Sequence, residues 1–253
     1  LKPGHRLART GDRALPRQIL DANGEVVLGL CTKCGAAEAE LDQRECGRLI
    51  AFEGGEATGK STQARLLEDA LRSSGTPVVR TREPGGSEGG EEIRRLIVEG
   101  ATDRWEVEAE AMLFMAARAD HLARTIRPAF RQGMWVITDR FVMSSYAYQG
   151  ACRGFGVDEL KRMHDIAFGD VSPDLTIVLD LDHRIGKMRL DARDAAANHS
   201  RFERFGPWFH QRLRQVYLEL VATDSSCVVV DANYPPEVVA RRVREVVVGR
   251  FGK

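Results

Sequence analysis

Gly54-Gly55-Glu56-Ala57-Thr58-Gly59-Lys60-Ser61, followed by Thr62, has the spacing G-x-x-x-x-G-K-S. The apolar run Leu49 to Phe52 precedes it, and a helix-compatible run, Gln63 to Ser73, follows. Strand, loop and helix in that order are the setting in which this spacing has a mechanism. Successive backbone N–H groups of the loop and of the first helical turn then face phosphate oxygens at the positive end of a helix. Lys60 adds a point charge near the β- and γ-phosphates, and the Ser61 hydroxyl is placed for magnesium.

Outward from this loop, short β-rich runs alternate with longer helical patterns. Candidate strands are Leu49–Phe52, Val78–Thr81, Trp135–Thr138, Thr176–Asp180 and Val228–Asp231. They read as nearly continuous apolar runs, as strands buried on both faces do. Between them lie helical patterns at Thr62–Ser73, Glu92–Val98, Glu106–Arg131, Val157–Ala167, Phe205–Ala222 and Pro236–Val248. The alternation predicts an α/β P-loop NTPase fold over 48–253, a five-stranded parallel sheet flanked by helices. Ligands then collect beyond the carboxyl ends of the strands.

The remaining polar motifs fall at those ends. Thr81-Arg82-Glu83-Pro84-Gly85-Gly86 closes the second strand, with Glu91 and Arg94 beyond it. A guanidinium there reaches a phosphate or holds a carboxylate in place. Asp139-Arg140-Phe141 closes the third strand, followed by Ser144, Tyr148 and Gln149. A carboxylate beside the phosphate loop suits magnesium, and Arg140 suits the phosphates of donor and acceptor together. On the long helix Phe114 and Arg118 are four apart and share a face, a ring to stack on a base and a guanidinium to read its edge. His121, a lone histidine on a mainly apolar helix, reads as a structural residue rather than a catalyst. The stretch 184–204 carries Arg184, Arg189, Arg193, Arg201 and Arg204 among polar residues and reads as a basic, movable lid or as a solvated charge run.

Residues 1–47 read differently. Leu1 to Arg17 is polar and aperiodic, Gln18 to Leu28 looks like a hairpin around Asn23-Gly24, and Cys31-Thr32-Lys33-Cys34 follows. With Cys46 as a third ligand this is a zinc knuckle; the alternatives are unliganded thiols or a redox pair. The five cysteines, an odd number, fit a reducing cytoplasmic compartment better than a disulfide scaffold. Lys and Arg number 37, as do Asp and Glu, which gives no electrostatic case for nucleic acid or a polybasic membrane anchor. No apolar run is long enough to span a membrane.

Together these residues describe phosphoryl transfer to an acceptor that has both a base and a phosphate. The chain also resembles a known family. Phe52-Glu53-Gly54 with the phosphate loop, Thr81 to Gly86, Leu113-Phe114 with Arg118 and His121, Asp139 to Gly150, Arg153-Gly154 and Pro173 to Thr176 are similar to thymidylate kinases from about Arg48 onward. The resemblance implies ATP-dependent conversion of dTMP to dTDP with magnesium, in a homodimer. Glu56 matches the family's loop acid near the acceptor sugar, and Lys60, Arg140 and a lid arginine complete the catalytic set. Residues 54–62 with Arg189 and Arg201 are implied for ATP, and Ser61 with Asp139 for magnesium. Arg82, Glu83, Phe114, Arg118, Arg140, Ser144, Tyr148 and Gln149 are implied for dTMP. Ala57 stands where some members carry a loop arginine, so the resemblance sends the catalytic arginine to the lid, with Arg193 the first choice. Asp191 and Asp194 dilute the lid's charge relative to similar enzymes. Two alternatives stay open: a kinase for another pyrimidine nucleoside monophosphate, and an inactive nucleotide-binding regulatory module.

Overall fold

The computed structural model describes residues 6–7, 17–20, 26–30, 47–169, 171–192 and 200–252. A parallel five-stranded sheet organises the chain from residue 49 onward, in the order β5-β6-β4-β7-β8. Its strands are β4 (Leu49–Glu53), β5 (Val78–Arg82), β6 (Trp135–Asp139), β7 (Leu175–Asp180) and β8 (Cys227–Asp231). The predicted strands are all present, each within a residue or two of its expected limits.

The central strand β4 is buried throughout, and its side chains alternate between two cores. Ile50 and Phe52 pack with Leu67 and Leu71 of α1 (Lys60–Ser73) and Val239 and Val243 of α9 (Pro236–Phe251). Leu49 and Ala51 pack on the other face with Met115, Leu122 and Phe130. Burial on both faces is why the strand reads as an unbroken apolar run rather than an alternating one.

Helix boundaries moved where capping decided them. α2 runs Glu88–Val98 rather than starting at Glu92, because the Ser87 hydroxyl accepts from the Gly90 N–H and acidic residues fill the first turn. α9 continues to Phe251, where Gly252 takes φ +73° and ends it. The helix expected over Glu106–Arg131 is α3 (Val107–His121), a π-helical turn (Leu122–Ile126) and α4 (Arg127–Arg131). Pro128 has no N–H to give back to the preceding turn, and the π-turn absorbs the mismatch. α5 (Val142–Ser145), a second π-turn (Tyr146–Cys152) and α6 (Val157–Phe168) follow β6. After β7 come α7 (His183–Asp191), a 3-10 turn (Arg201–Arg204) and α8 (Pro207–Val221).

The N-terminal strands β1 (Arg6–Leu7), β2 (Arg17–Leu20) and β3 (Val26–Leu30) form an antiparallel sheet in that order. β2 and β3 pair antiparallel within the stretch expected as a hairpin, whereas β1 lies in a stretch that carried no strand signal. Cys31, Cys34 and Cys46, and with them the zinc expectation, lie outside the described residues, as does Arg193. Among the described residues no helix is long and apolar enough to cross a membrane.

Candidate active site

The loop 54–59 leaves β4 and enters α1. Gly54 has φ +127°, and a Cβ there would fall 2.6 Å from the Leu179 carbonyl, so only glycine fits against β7. Gly59 precedes α1 with φ +92°, and no acidic residue occupies that helix's first turn. The positive helix end is therefore met by no carboxylate from its own first turn. Lys60 is buried; its ammonium donates to the carbonyls of Gly55 at 2.6 Å and Gly54 at 3.2 Å, and to Thr58 Oγ1 at 3.3 Å. Burial, with Arg140 adding to it, lowers the Lys60 pKa to about 8.

β6 lies beside β4, with Phe52 paired to Asp139, so the carboxylate that ends β6 stands next to the loop. The Ser61 hydroxyl donates directly to Asp139 Oδ2. A hydroxyl and a carboxylate in contact are a hard-oxygen pair of the kind magnesium takes.

Arg140 is the hub. Its backbone is left-handed, φ +69°, a conformation that costs a non-glycine residue about 1–3 kcal/mol. Nη1 donates to the Gly54 carbonyl at 2.9 Å, Ser144 Oγ at 3.1 Å and Tyr217 Oη at 3.3 Å. Nη2 donates to Glu56 Oε1 at 2.8 Å and Tyr148 Oη at 3.1 Å. Burial alone would raise the Glu56 carboxyl, but the charges of Arg140 and Lys60 and the Tyr148 hydroxyl hold it at about 2. Glu56 is thus a carboxylate at any working pH.

Glu53 supports this hub from below. Fully buried, it accepts from the N–H groups of Phe141 at 2.8 Å and Ser144 at 3.1 Å, from Ser144 Oγ at 2.6 Å and from Tyr217 Oη at 3.1 Å. Burial raises its carboxyl, against the opposing Ser144 hydrogen bond and Arg140 charge.

A cavity of about 310 Å³ opens beside the hub, with the loop residues 56, 57 and 59–62 on one wall. Arg82, Phe114, Arg140, Tyr148, Gln149 and Phe202 are on the others. Phe202 meets Phe114 edge-on at 6.1 Å and Tyr148 at 5.6 Å. Glu83 and Ser144 also line it, while Arg118 lies just behind, bound to Glu83 Oε2 at 2.7 Å and Ser145 Oγ at 3.1 Å. His121 takes the structural part: its ring bridges Thr81 Oγ1 at 2.7 Å and Glu83 Oε1 at 3.0 Å. Arg82 pairs with Glu91 at the rim. A larger cavity of about 510 Å³ lies on the other side of the loop, between α7 and α8.

Two of the lid arginines have different fates. Arg189 donates to the Ala57 carbonyl at 3.4 Å and to Ala232 at 3.2 Å, at the phosphate loop. Arg201, expected beside it, is turned inward. It is fully buried and donates to the carbonyls of Ile97 at 2.5 Å and Thr102 at 3.1 Å and to Glu110. A guanidinium saturated in this way has nothing to offer a donor phosphate, and the expectation for Arg201 is corrected. Arg94, which carried no assigned role, lines the smaller cavity and donates to the Pro84 carbonyl at 2.7 Å. Its spacing from Arg82 on a helix entering the site was the available signal. Glu53 entered only as part of the Phe52-Glu53-Gly54 motif, and Tyr217 and Phe202 offered none.

Known proteins are similar to this chain over most of its length. The family model for thymidylate kinase matches residues 52–243. A thymidylate kinase of Rhizorhabdus wittichii is 47% identical over 200 residues, 79% of this chain and 96% of that protein. One of Dinoroseobacter shibae is 49% identical over 198 residues, 78% of this chain and 94% of its own length. The crystal structure of a thymidylate kinase from Ehrlichia chaffeensis superposes with a TM-score of 0.63 at 29% identity, covering 80% of this chain and 98% of that one. With the loop, the Asp139–Arg140 hub and the aromatic cavity in one continuous site, this chain belongs to the thymidylate kinase family.

Proposed function

We propose that the protein transfers the γ-phosphoryl group of ATP to dTMP, giving dTDP and ADP. The observation that carries this reading is Arg140, held between the phosphate loop and the base-sized cavity by Gly54, Glu56 and Tyr148. ATP lies along residues 54–62, with Lys60 on its terminal phosphates and Arg189 at the loop's outer edge. Ser61 and Asp139 would hold magnesium, which would supply charge neutralisation on the terminal phosphates. The dTMP base stacks on Phe114, with Arg118 behind it. Arg118 Nη1 is buried without a partner, a free donor for an exocyclic carbonyl. The acceptor phosphate meets Arg140, Arg94 and Arg82, and Glu56 and Tyr148 crowd the sugar.

No side-chain nucleophile is required. An acceptor phosphate oxygen attacks the γ-phosphorus in line, the bond to the β-bridging oxygen breaks, and ADP leaves with that electron pair. The chain's contribution is to hold two anions together at low dielectric. Replacing dTMP by other monophosphates in a coupled kinase assay tests the reading; dTMP is expected to be the best acceptor.

Lys60 gives the reaction a pH limit. Its ammonium is the form that binds phosphate, and its pKa is lowered to about 8. Bound phosphate holds the proton on, so binding above that pH takes up a proton. ATP affinity is therefore expected to be flat below about pH 8 and to fall by up to about tenfold per unit above it. A calorimetric titration between pH 7 and 9.5 checks this; affinity constant to pH 9.5 contradicts it.

We also assign residues 1–47 to a small separate unit whose Cys31, Cys34 and Cys46 bind zinc, and the enzyme to a cytoplasmic homodimer. The exposed Met112 on α3 and Ile166 on α6 support the dimer. Elemental analysis and sedimentation of protein purified without added metal check both. One zinc per chain and twice the chain mass are expected; metal-free or monomeric protein refutes the respective assignment.

A further inference from the structure

Glu110 on α3 is fully buried and takes no part in the steps above. Its Oε1 accepts from Gln149 Nε2 at 2.7 Å. Its Oε2 accepts from Arg153 Nη1 at 2.5 Å and from Arg201. Both guanidinium groups are themselves fixed, Arg153 by the Trp105 carbonyl at 2.8 Å and Arg201 by those of Ile97 and Thr102. The carboxylate is thus held from both ends.

An amide can turn over and exchange its donor and acceptor ends, whereas a carboxylate paired with two guanidinium groups only accepts. Glu110 therefore fixes the Gln149 amide with Nε2 toward itself. The other end, Oε1, is buried and has no partner in the protein. Gln149 lines the same cavity as Phe114. Arg118 Nη1 is the complementary case, a buried donor without a partner. An unpaired acceptor on the cavity residue Gln149 suits the ring N–H of a uracil-type base, and an unpaired donor on Arg118, behind the cavity, suits a ring carbonyl. A cytosine-type ring presents a bare nitrogen and an amino group at those positions, the opposite pattern.

We propose that Glu110 is a positioning residue that locks the Gln149 amide oxygen toward the acceptor base and so makes the enzyme select pyrimidines bearing an N–H at ring position 3. This rests on the assignment of the Phe114–Gln149 cavity to the acceptor base. In Glu110→Gln the new oxygen stays with the two arginines and the new NH₂ faces Gln149, which drives that amide to turn over. In Glu110→Asp the charge remains but the reach to Gln149 is lost.

The test compares kcat/KM for dTMP and dCMP in the wild type, Glu110→Gln, Glu110→Asp and Gln149→Met. Both Glu110 variants and Gln149→Met are expected to narrow the dTMP/dCMP ratio by about tenfold or more. A ratio unchanged in the Glu110 variants, with both nucleotides losing equally, would make Glu110 merely structural and overturn the proposal. A ratio unchanged in Gln149→Met would remove the base-reading assignment itself and the lock with it. A measurement on the native enzyme needs no variant: the Gln149 side-chain NH₂ protons are expected to exchange slowly with solvent both before and after dTMP binds. Fast exchange in the free enzyme overturns the lock.

Discussion

Arg140→Ala is expected to lower kcat/KM for dTMP by about 10³-fold or more. Five groups from three parts of the chain converge on this guanidinium: Gly54 and Glu56 of the loop, Ser144 and Tyr148 after β6, and Tyr217 of α8. Its backbone is held in a strained left-handed conformation, which persists only where the surroundings over-determine it. Removing the side chain takes away the charge that the transferring phosphoryl meets. It also strands Glu56, whose carboxyl is kept low by Arg140 and Lys60. Stranding a largely buried carboxylate costs about 3–5 kcal/mol, so the melting temperature should fall as well. Arg140→Lys keeps a charge but loses the planar fork that serves loop and hydroxyls together, and should recover only part of the activity. Steady-state kinetics with thermal melting check both effects. Turnover within about tenfold of wild type would move the role to Arg94 or Lys60.

The second large effect is expected at Arg193. Three arginines were candidates for the lid's contribution, and the fold removes one. Arg201 is consumed by Glu110 and two backbone carbonyls. Arg189 reaches the loop carbonyl of Ala57, and Ala57 itself occupies the position where a loop arginine would stand. Arg193→Ala should therefore reduce kcat by about 10³-fold, the scale of an arginine that neutralises a transferring phosphoryl. The KM for dTMP should stay within about threefold, since the role assigned to Arg193 is on the transferring phosphoryl and not on the acceptor. Unchanged turnover, with a loss in Arg189→Ala instead, would transfer the role to Arg189.

What the sequence made legible was what is contiguous. The loop from Gly54 to Ser61 and the run from Asp139 to Gln149 each bring several site residues within one turn of chain, and the β-rich runs marked all of the parallel strands. What it hid was set by distant partners. Arg201 looks like a lid arginine because its neighbours are polar; its burial depends on Glu110, 91 residues earlier. Glu53 and Tyr217 meet across 164 residues, and nothing local to either announces the contact. Gln149 was readable as a pocket residue, but the direction of its amide follows from Glu110 on another helix. The break after His121 was within reach, since Pro128 stands in the helical run.

We propose that one continuous site joins the phosphate loop to a cavity for dTMP. The most direct measurement is ATP-dependent turnover across dTMP, dUMP, dCMP, UMP and dAMP, with magnesium present and the product ADP followed by a coupled assay. The highest kcat/KM is expected for dTMP, with dUMP next. A higher value for any other monophosphate, or nucleotide binding with no transfer to dTMP, would contradict it.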